Sequence, residues 1–434
     1  MSQKIIAFMR KNWWLAAVAL PVVFMLGVVV HYVANIPQWD EIEIVSLFQK
    51  HDAHTLGIAD FWHQHNEHRI FFPNVIMYTV AFATRWNVAA EVMMSFVLAC
   101  VTLVLFVSLV WRTIKARPLR IAMSIFIAFL LFSPMQGENW LWGWQFEWYL
   151  TVCALIATVW SLCAWPERWN PRLRMPVAIA AALIATYSLG SGPFVWIIGF
   201  VVLLLRQETR RKLVVWGAAA VPALALYYYG YDFHGDQASK TIVTHQPHKF
   251  VEYVATYLGH AFASNKYVAG AVGLIFFCLV GWIIYMIVRK LDRGRAAAGW
   301  ASLAVFGLLA ASSTALGRLE FGIAQAMAPR YMIMASLFAI GLVGCLTIIA
   351  ENYWRGKQAL KWMTLVLAML TLVVIYNYHA GMQIVRGVSV HYRWIQMCAH
   401  ADQPTEWCLM NVFPDTTHAQ QSIDYLKAKH WGGF

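Results

Sequence analysis

The sequence predicts an all-α polytopic membrane protein with about eleven transmembrane helices. Of its 434 residues, 60% are hydrophobic and only 12% are charged, more apolar surface than one soluble core could hide. Apolar runs of about twenty residues recur, the length that crosses a bilayer core at a rise of about 1.5 Å per residue. The runs are continuous and do not alternate apolar with polar, so they are helices and not barrel strands.

The spans fall near 13–32, 89–111, 119–134, 149–165, 175–190, 193–206, 213–229, 267–288, 298–315, 331–350 and 362–379. With the N-terminus inside, the short inner segments hold 21 of the 33 basic residues and 4 of the 21 acidic ones, from Lys4, Arg10 and Lys11 to Arg355, Lys357 and Lys361. The inner side is therefore +17 and the outer side −5, and the net charge of +12 is a topology signal under the positive-inside rule. Nucleic-acid binding has no place in it. The N-terminus is cytoplasmic and, after an odd number of spans, the C-terminus is periplasmic. The basic stretch before the first span looks like a signal peptide, but no small-residue cleavage site is evident and the apolar run reaches Tyr32, so a retained first helix is expected.

Residues 1–380 form the transmembrane domain and 381–434 a periplasmic tail, with longer outer loops at 33–88, 134–149, 230–266 and 316–330. The apolar stretch Ile70–Ala83 is too short for a span, and as a span it would move the four positive charges of Arg112–Arg120 outside. The first outer loop is thus expected to hold two interfacial helices, near 40–50 and 57–84. In 230–266, a polar stretch from Asp232 to His248 precedes Phe250, Tyr253, Val254 and Tyr257, the spacing of a surface-lying amphipathic helix. The tail ends in a short amphipathic helix, Ala419–His430, with Ile423 and Leu426 on one side. Cys398 and Cys408, outside, suggest a disulfide in an oxidising compartment, with two free thiols as the alternative. The other five cysteines lie in apolar spans as small packing residues.

Chemistry-bearing residues gather in the outer segments. Trp39-Asp40-Glu41-Ile42-Glu43 places carboxylates at a membrane boundary, where desolvation strengthens a base; an acidic helix start would look the same. His63-Gln64-His65-Asn66-Glu67-His68-Arg69 is dense in polar groups: His65 and His68 on one helical face could hold a metal, although the spacing matches no strict zinc motif, and the stretch also suits hydrogen bonding to a sugar or phosphate, or a solvated helix start. Gln136 to Trp148 interleaves Glu138, Asn139 and Gln145 with Trp140, Trp142, Trp144 and Trp148, either an interfacial belt or a wall whose rings cover sugar C–H faces. Arg318 and Arg330, with Glu320, Gln325 and Tyr331 nearby, oppose the charge rule; a phosphate partner or an outer carboxylate would account for them. The turn Tyr187 to Pro193 carries two glycines that permit close backbone approach, and tight-turn chemistry alone would explain it.

Together these patterns resemble the GT-C class of integral membrane glycosyltransferases, in particular bacterial enzymes that modify O-antigen or other surface glycans with a polyprenyl-phosphate sugar. The resemblance rests on the architecture, Trp39-Asp40-Glu41, His65 to Arg69, Gln136 to Gln145 and Arg318 to Tyr331, and covers nearly the whole chain. It implies an inverting transfer of sugar from a polyprenyl-phosphate-linked donor to a glycan hydroxyl on the periplasmic face of the bacterial inner membrane. Asp40 would be the base, or failing it Glu41 or Glu67. His65, Asn66, His68, Arg69, Glu138, Asn139, Trp142, Gln145, Arg318, Gln325, Arg330 and Tyr331 would bind substrate. Membrane lipids and the two glycan substrates are the implied partners; no cofactor or metal is implied, although some relatives in the class use one. The rivals are a transporter or flippase for a lipid-linked or polar solute, which would need ionisable residues deep in the spans, and a non-catalytic assembly subunit. The absence of an evident internal repeat disfavours an inverted-repeat transporter.

Overall fold

The computed structural model describes residues 3–232, 237–289, 294–353 and 357–434, with side chains over 12–232, 238–286, 295–352 and 358–434. The helices are, in order, α1 (Gln3–Tyr32), α2 (Val45–Asp52), α3 (Ile58–Trp62), α4 (Phe71–Thr84), α5 (Val88–Thr113), α6 (Arg117–Leu131) and α7 (Gly137–Leu141). Then come α8 (Phe146–Ala164), α9 (Arg174–Thr186), α10 (Val195–Leu205), α11 (Arg210–Tyr228), α12 (Gln237–His245) and α13 (Pro247–Gly259). The rest are α14 (Lys266–Arg289), α15 (Gly294–Arg318), α16 (Met332–Tyr353), α17 (Lys357–His400), α18 (Glu406–Val412) and α19 (Thr416–Lys429). The only sheet among the described residues is the ribbon β1 (Gln64–His65) and β2 (His68–Arg69).

A helix lies at each expected span. Among the described residues, eight stretches are long and apolar enough to cross a membrane: the apolar part of α1, α5, α6 with α7, α8, α14, α15, α16 and α17. Of the other three, α9 and α10 have 13 and 11 residues, and α11 opens on Arg210, Arg211 and Lys212. The chain is an all-α polytopic membrane protein.

The centre of the bundle is α16, whose spanning stretch is almost wholly buried. It approaches α15 closely because Gly341 and Gly344 present no side chain there. A Cβ on Gly341 would lie 2.4 Å from the Ala304 nitrogen, and one on Gly344 2.4 Å from the Trp300 ring. Small residues at a helix–helix contact let dispersion act between backbones, which matters where lipid removes the hydrophobic driving force. Trp300, fully buried, donates its Nε1–H to Thr113 Oγ1 on α5 at 3.1 Å.

Segments that the charge pattern puts on one side share one end of the bundle. The Glu351 carboxylate accepts the Lys115 and Ala116 amides at 2.9 and 2.5 Å, Arg174 pairs with Glu208 at 2.9 Å, and Arg295 donates to Gln207 at 2.8 Å. The side chains of Lys4, Arg10, Lys11, Arg289, Lys290, Arg293, Arg355 and Lys357 lie outside the described residues, as do residues 233–236 of the polar stretch after Asp232.

Two expectations about the opposite end are corrected. The helix expected over 57–84 is broken at 64–69, where Asn66 takes φ 46° and turns the chain into the β1–β2 hairpin. The helix around Phe250–Tyr257 is α13, but it does not lie on the surface: residues Tyr253–Gly259 are buried against α14, α15 and α16. α17 runs unbroken through residue 380 for 44 residues, about 66 Å and roughly twice a bilayer core. Its far end carries the tail, where Cys398 and Cys408 are joined in a disulfide. The tail folds back on the first loop: Tyr425 and Lys429 each reach Asp52 at 2.8 Å, and Trp431 meets Phe48 edge-on.

Gly341→Val is expected to destabilise the purified protein by about 1–3 kcal/mol through overpacking. Gly281→Ala, whose Cβ meets nothing within 4 Å, leaves the melting temperature in fluorescence-detected size exclusion unchanged.

Candidate functional site

At the end away from the basic loops lies a cavity of about 890 Å³. Its first wall is the 3-10 turn Trp39–Ile44. Glu41 is fully buried, with Oε2 accepting the Gln38 amide at 3.0 Å and Oε1 accepting the Trp144 amide at 2.9 Å. It ties the first loop to the 134–149 segment. Burial pushes its carboxyl up to about 8, against the pull of the two main-chain N–H groups. With Glu41 turned inward, Asp40 and Glu43 keep side chains 31% and 39% exposed.

The hairpin makes the second wall, with His65 paired across it to His68. His65 sits between two carboxylates, its Nδ1 2.9 Å from Glu43 and its Nε2 3.9 Å from Asp40. Burial opposes charge on His65, but the Glu43 hydrogen bond and the two negative charges outweigh it, so its pKa rises. Glu43 moves the other way: burial would raise it, and His65 brings it below its ordinary value. Asp40 is raised, since burial exceeds the opposing pull of His65. His68 has no carboxylate in bonding range, and burial, aided by the fields of His65 and Arg318, pushes it down to about 3. It is a neutral imidazole at physiological pH.

The third wall is the broken helix from Ser133 to Glu147. The Ser133 carbonyl accepts Trp140 Nε1 at 3.0 Å, and Gln136 donates to the Leu131 carbonyl at 2.9 Å, which satisfies the end of α6. Trp142, Trp144, Gln145, Glu147 and Trp148 face the cavity. The fourth wall runs from the end of α15 to the start of α16. Arg318 pairs with Glu67 at 3.3 Å, and Arg330 with Glu138 at 2.9 Å. Tyr331 stacks on Tyr257 at 5.2 Å between ring centres.

The cavity thus brings together Asp40, Glu67, His65, Asn66 and His68 from the first loop, Glu138, Trp142 and Gln145 from the second, and Arg318, Arg330 and Tyr331 from the last. Four expected site residues lie elsewhere. Glu41 is behind the wall, as described. Arg69 is buried, and each of its guanidinium nitrogens donates to a main-chain carbonyl, of Trp62, Tyr227 or Tyr229, at 2.7–2.9 Å. Asn139 is buried and donates to the Arg330 carbonyl at 3.1 Å. Gln325 is half-buried in a 3-10 turn and does not line the cavity.

Glu147, Ser191, His391 and Tyr392 line the cavity without having been singled out as site residues. Glu147 was inside the aromatic run and Ser191 inside the 187–193 turn, so both had a local signal. His391 and Tyr392 lie on α17 beyond the apolar stretch and had none. Among the described residues, Asp40, Glu43 and His65 each offer one ligand atom within 4.8 Å of the others. Two carboxylates and an imidazole are the donor types that hold a divalent cation.

No family model matches the chain, and none of the curated proteins matches it in sequence. Among solved structures it is similar to an Archaeoglobus fulgidus oligosaccharyltransferase tethered with an acceptor peptide containing the NVT sequon via a disulfide bond, with a TM-score of 0.49 at 13% identity, over 96% of this chain and 59% of that one. It is also similar to the archaeal oligosaccharyltransferase AglB from the same organism in complex with an inhibitory peptide and a dolichol-phosphate, with a TM-score of 0.45 at 12% identity, over 91% and 59%. For the apo form of the A. fulgidus enzyme the TM-score is 0.47 at 12% identity, over 96% and 60%. The chain thus spans about three-fifths of the length of these structures.

Arg69→Ala strands buried carbonyls and is expected to cost about 2–3 kcal/mol of stability. Arg318→Ala removes an exposed pair and costs less than about 1 kcal/mol. Thermal melts of the two purified variants check the contrast.

Proposed function

We propose that this chain is a GT-C-like glycosyltransferase, which moves a sugar from a polyprenyl-phosphate-linked donor to a hydroxyl of an O-antigen or similar surface glycan. It works from the bacterial inner membrane, with the cavity and the 381–434 tail on the periplasmic side. The observation that carries this is the composition of one cavity: an unspent carboxylate at its mouth, indole walls and two arginines, drawn from segments far apart in sequence. Indoles cover the apolar faces of sugar rings, and guanidinium forks match phosphate oxygens.

Asp40 is the base. Of the three carboxylates considered, Glu41 is held behind the wall by two amides and Glu67 faces Arg318, whereas Asp40 lines the cavity with its side chain 31% exposed. Its raised pKa brings it closer to working pH, which favours general-base catalysis. The carboxylate takes the acceptor hydroxyl proton as that oxygen bonds to the anomeric carbon. The bond from that carbon to the phosphate oxygen breaks with inversion, and polyprenyl phosphate departs with the electron pair. Arg318 and Arg330 stabilise the departing charge, exchanging Glu67 and Glu138 for phosphate oxygens as it develops.

The test is transfer from radiolabelled undecaprenyl-phosphate sugars to surface glycan in proteoliposomes. Wild type transfers label, and Asp40→Asn loses roughly 10²–10⁴-fold in kcat while inserting normally. Asp40 is idle when protonated, so kcat/KM rises with pH through its raised pKa. His65 holds that pKa down, so His65→Gln moves the rising limb to higher pH. Failure of a broad donor panel, or full activity in Asp40→Asn, would sink the proposal.

A further inference from the structure

The proposed mechanism uses the mouth of the cavity and leaves a set of polar atoms unexplained. Glu147 and Gln145 are only 4% and 2% exposed. Glu147 Oε2, Gln145 Oε1, His68 Nε2 and Ser191 Oγ are all buried and have no hydrogen-bond partner, and all four residues line the cavity. Glu147 Oε2 and His68 Nε2 face each other at 3.9 Å, too far for a direct hydrogen bond. A buried polar atom left unpaired costs free energy, and four lining one cavity indicate groups that a ligand satisfies.

Their chemistry limits the ligand. The Gln145 amide oxygen only accepts and Glu147 Oε2 is left without a donor, so the partner brings hydrogen-bond donors to these groups. The four atoms belong to three separate chain segments, the hairpin, the start of α8 and the 187–193 turn. One ammonium presents its N–H bonds at a single point, whereas the hydroxyls of a sugar ring are spread around it, and each both donates and accepts. Trp142, Trp144 and Trp148 beside them offer faces for the ring itself.

Deepening the glycosyltransferase reading, on which this rests, we infer that Glu147, Gln145, His68 and Ser191 form a subsite for the hydroxyls of a neutral sugar, with Glu147 as its principal acceptor. The substrate class is therefore a neutral hexose on polyprenyl phosphate, and a uronate, whose carboxylate brings no donor, is not preferred.

Binding to the full-length protein in nanodiscs tests this, with undecaprenyl phosphate alone and with its glucose, galactose, mannose, glucosamine and glucuronic acid derivatives. Wild type should bind at least one neutral hexosyl lipid about 10- to 100-fold more tightly than undecaprenyl phosphate, the range for about two net hydrogen bonds, and should not prefer the glucuronyl lipid over undecaprenyl phosphate. Glu147→Ala removes that preference and leaves undecaprenyl phosphate binding unchanged. Glu147→Gln, nearly isosteric, keeps the fold and an acceptor oxygen and loses the preference in part. Equal loss for sugar-bearing and sugar-free lipid, no change in either variant, or preference for the glucosaminyl or glucuronyl lipid would overturn the subsite. If wild type binds no polyprenyl phosphate and transfers no sugar, the glycosyltransferase reading itself fails. Transfer that is indifferent to Glu147 overturns the subsite alone.

Discussion

A main-chain amide or carbonyl at the edge of a bilayer has no free supply of water, so every break in a helix there needs an internal partner. The cavity end of this protein consists of such breaks, and side chains close them. Glu41 accepts two amides, Gln136 and Trp140 serve the end of α6, and Arg69 serves the end of α11. Tyr378 on α17 donates to the carbonyls of Phe129 and Phe132 at 2.8 and 3.0 Å. Among the polar groups that remain, Asp40, Glu147 and Gln145 face the cavity. The constraint thus draws a division between side chains that serve the scaffold and those left to the site.

That division explains what could be read from the sequence. The spans are long apolar runs whose signal is local, and the basic loops sort to one end by charge, so most of the bundle was legible. The four outer patterns that do converge on one cavity were legible as well, since polar density is conspicuous in a chain with 12% charged residues. Which member of each pattern faces inward was not. Asp40 and Glu41 are adjacent and chemically alike, and only the position of the Trp144 amide, about a hundred residues on, turns Glu41 into the wall. Arg69 looked like a phosphate ligand until Tyr227 and Tyr229 supplied carbonyls for it. The hairpin was hidden because Asn66 must adopt a left-handed backbone to make it, inside a stretch whose composition also suits a helix.

Electrostatically, the cavity is not a simple basic funnel. Arg318 and Arg330 are each matched by a carboxylate, so neither offers an unopposed positive charge before a ligand arrives. The Arg318 pair is the more exposed of the two and so the cheaper to exchange. The first-loop carboxylates are instead organised around His65, whose contact with Glu43 turns two potentially repelling acids into a hydrogen-bonded group beside Asp40.

The proposed working site is this cavity, opening on the non-cytoplasmic face. Asn66 is exposed and lines it, while Cys398 and Cys408 are joined in a disulfide and Cys278 is the exposed one among the other five cysteines. The most direct measurement is labelling of Asn66→Cys in intact spheroplasts with a membrane-impermeant maleimide, against the unsubstituted chain, with and without added undecaprenyl-phosphate sugar. Labelling from outside, slowed by the sugar lipid, is expected. Labelling only after permeabilisation, or a rate indifferent to the sugar lipid, would contradict it.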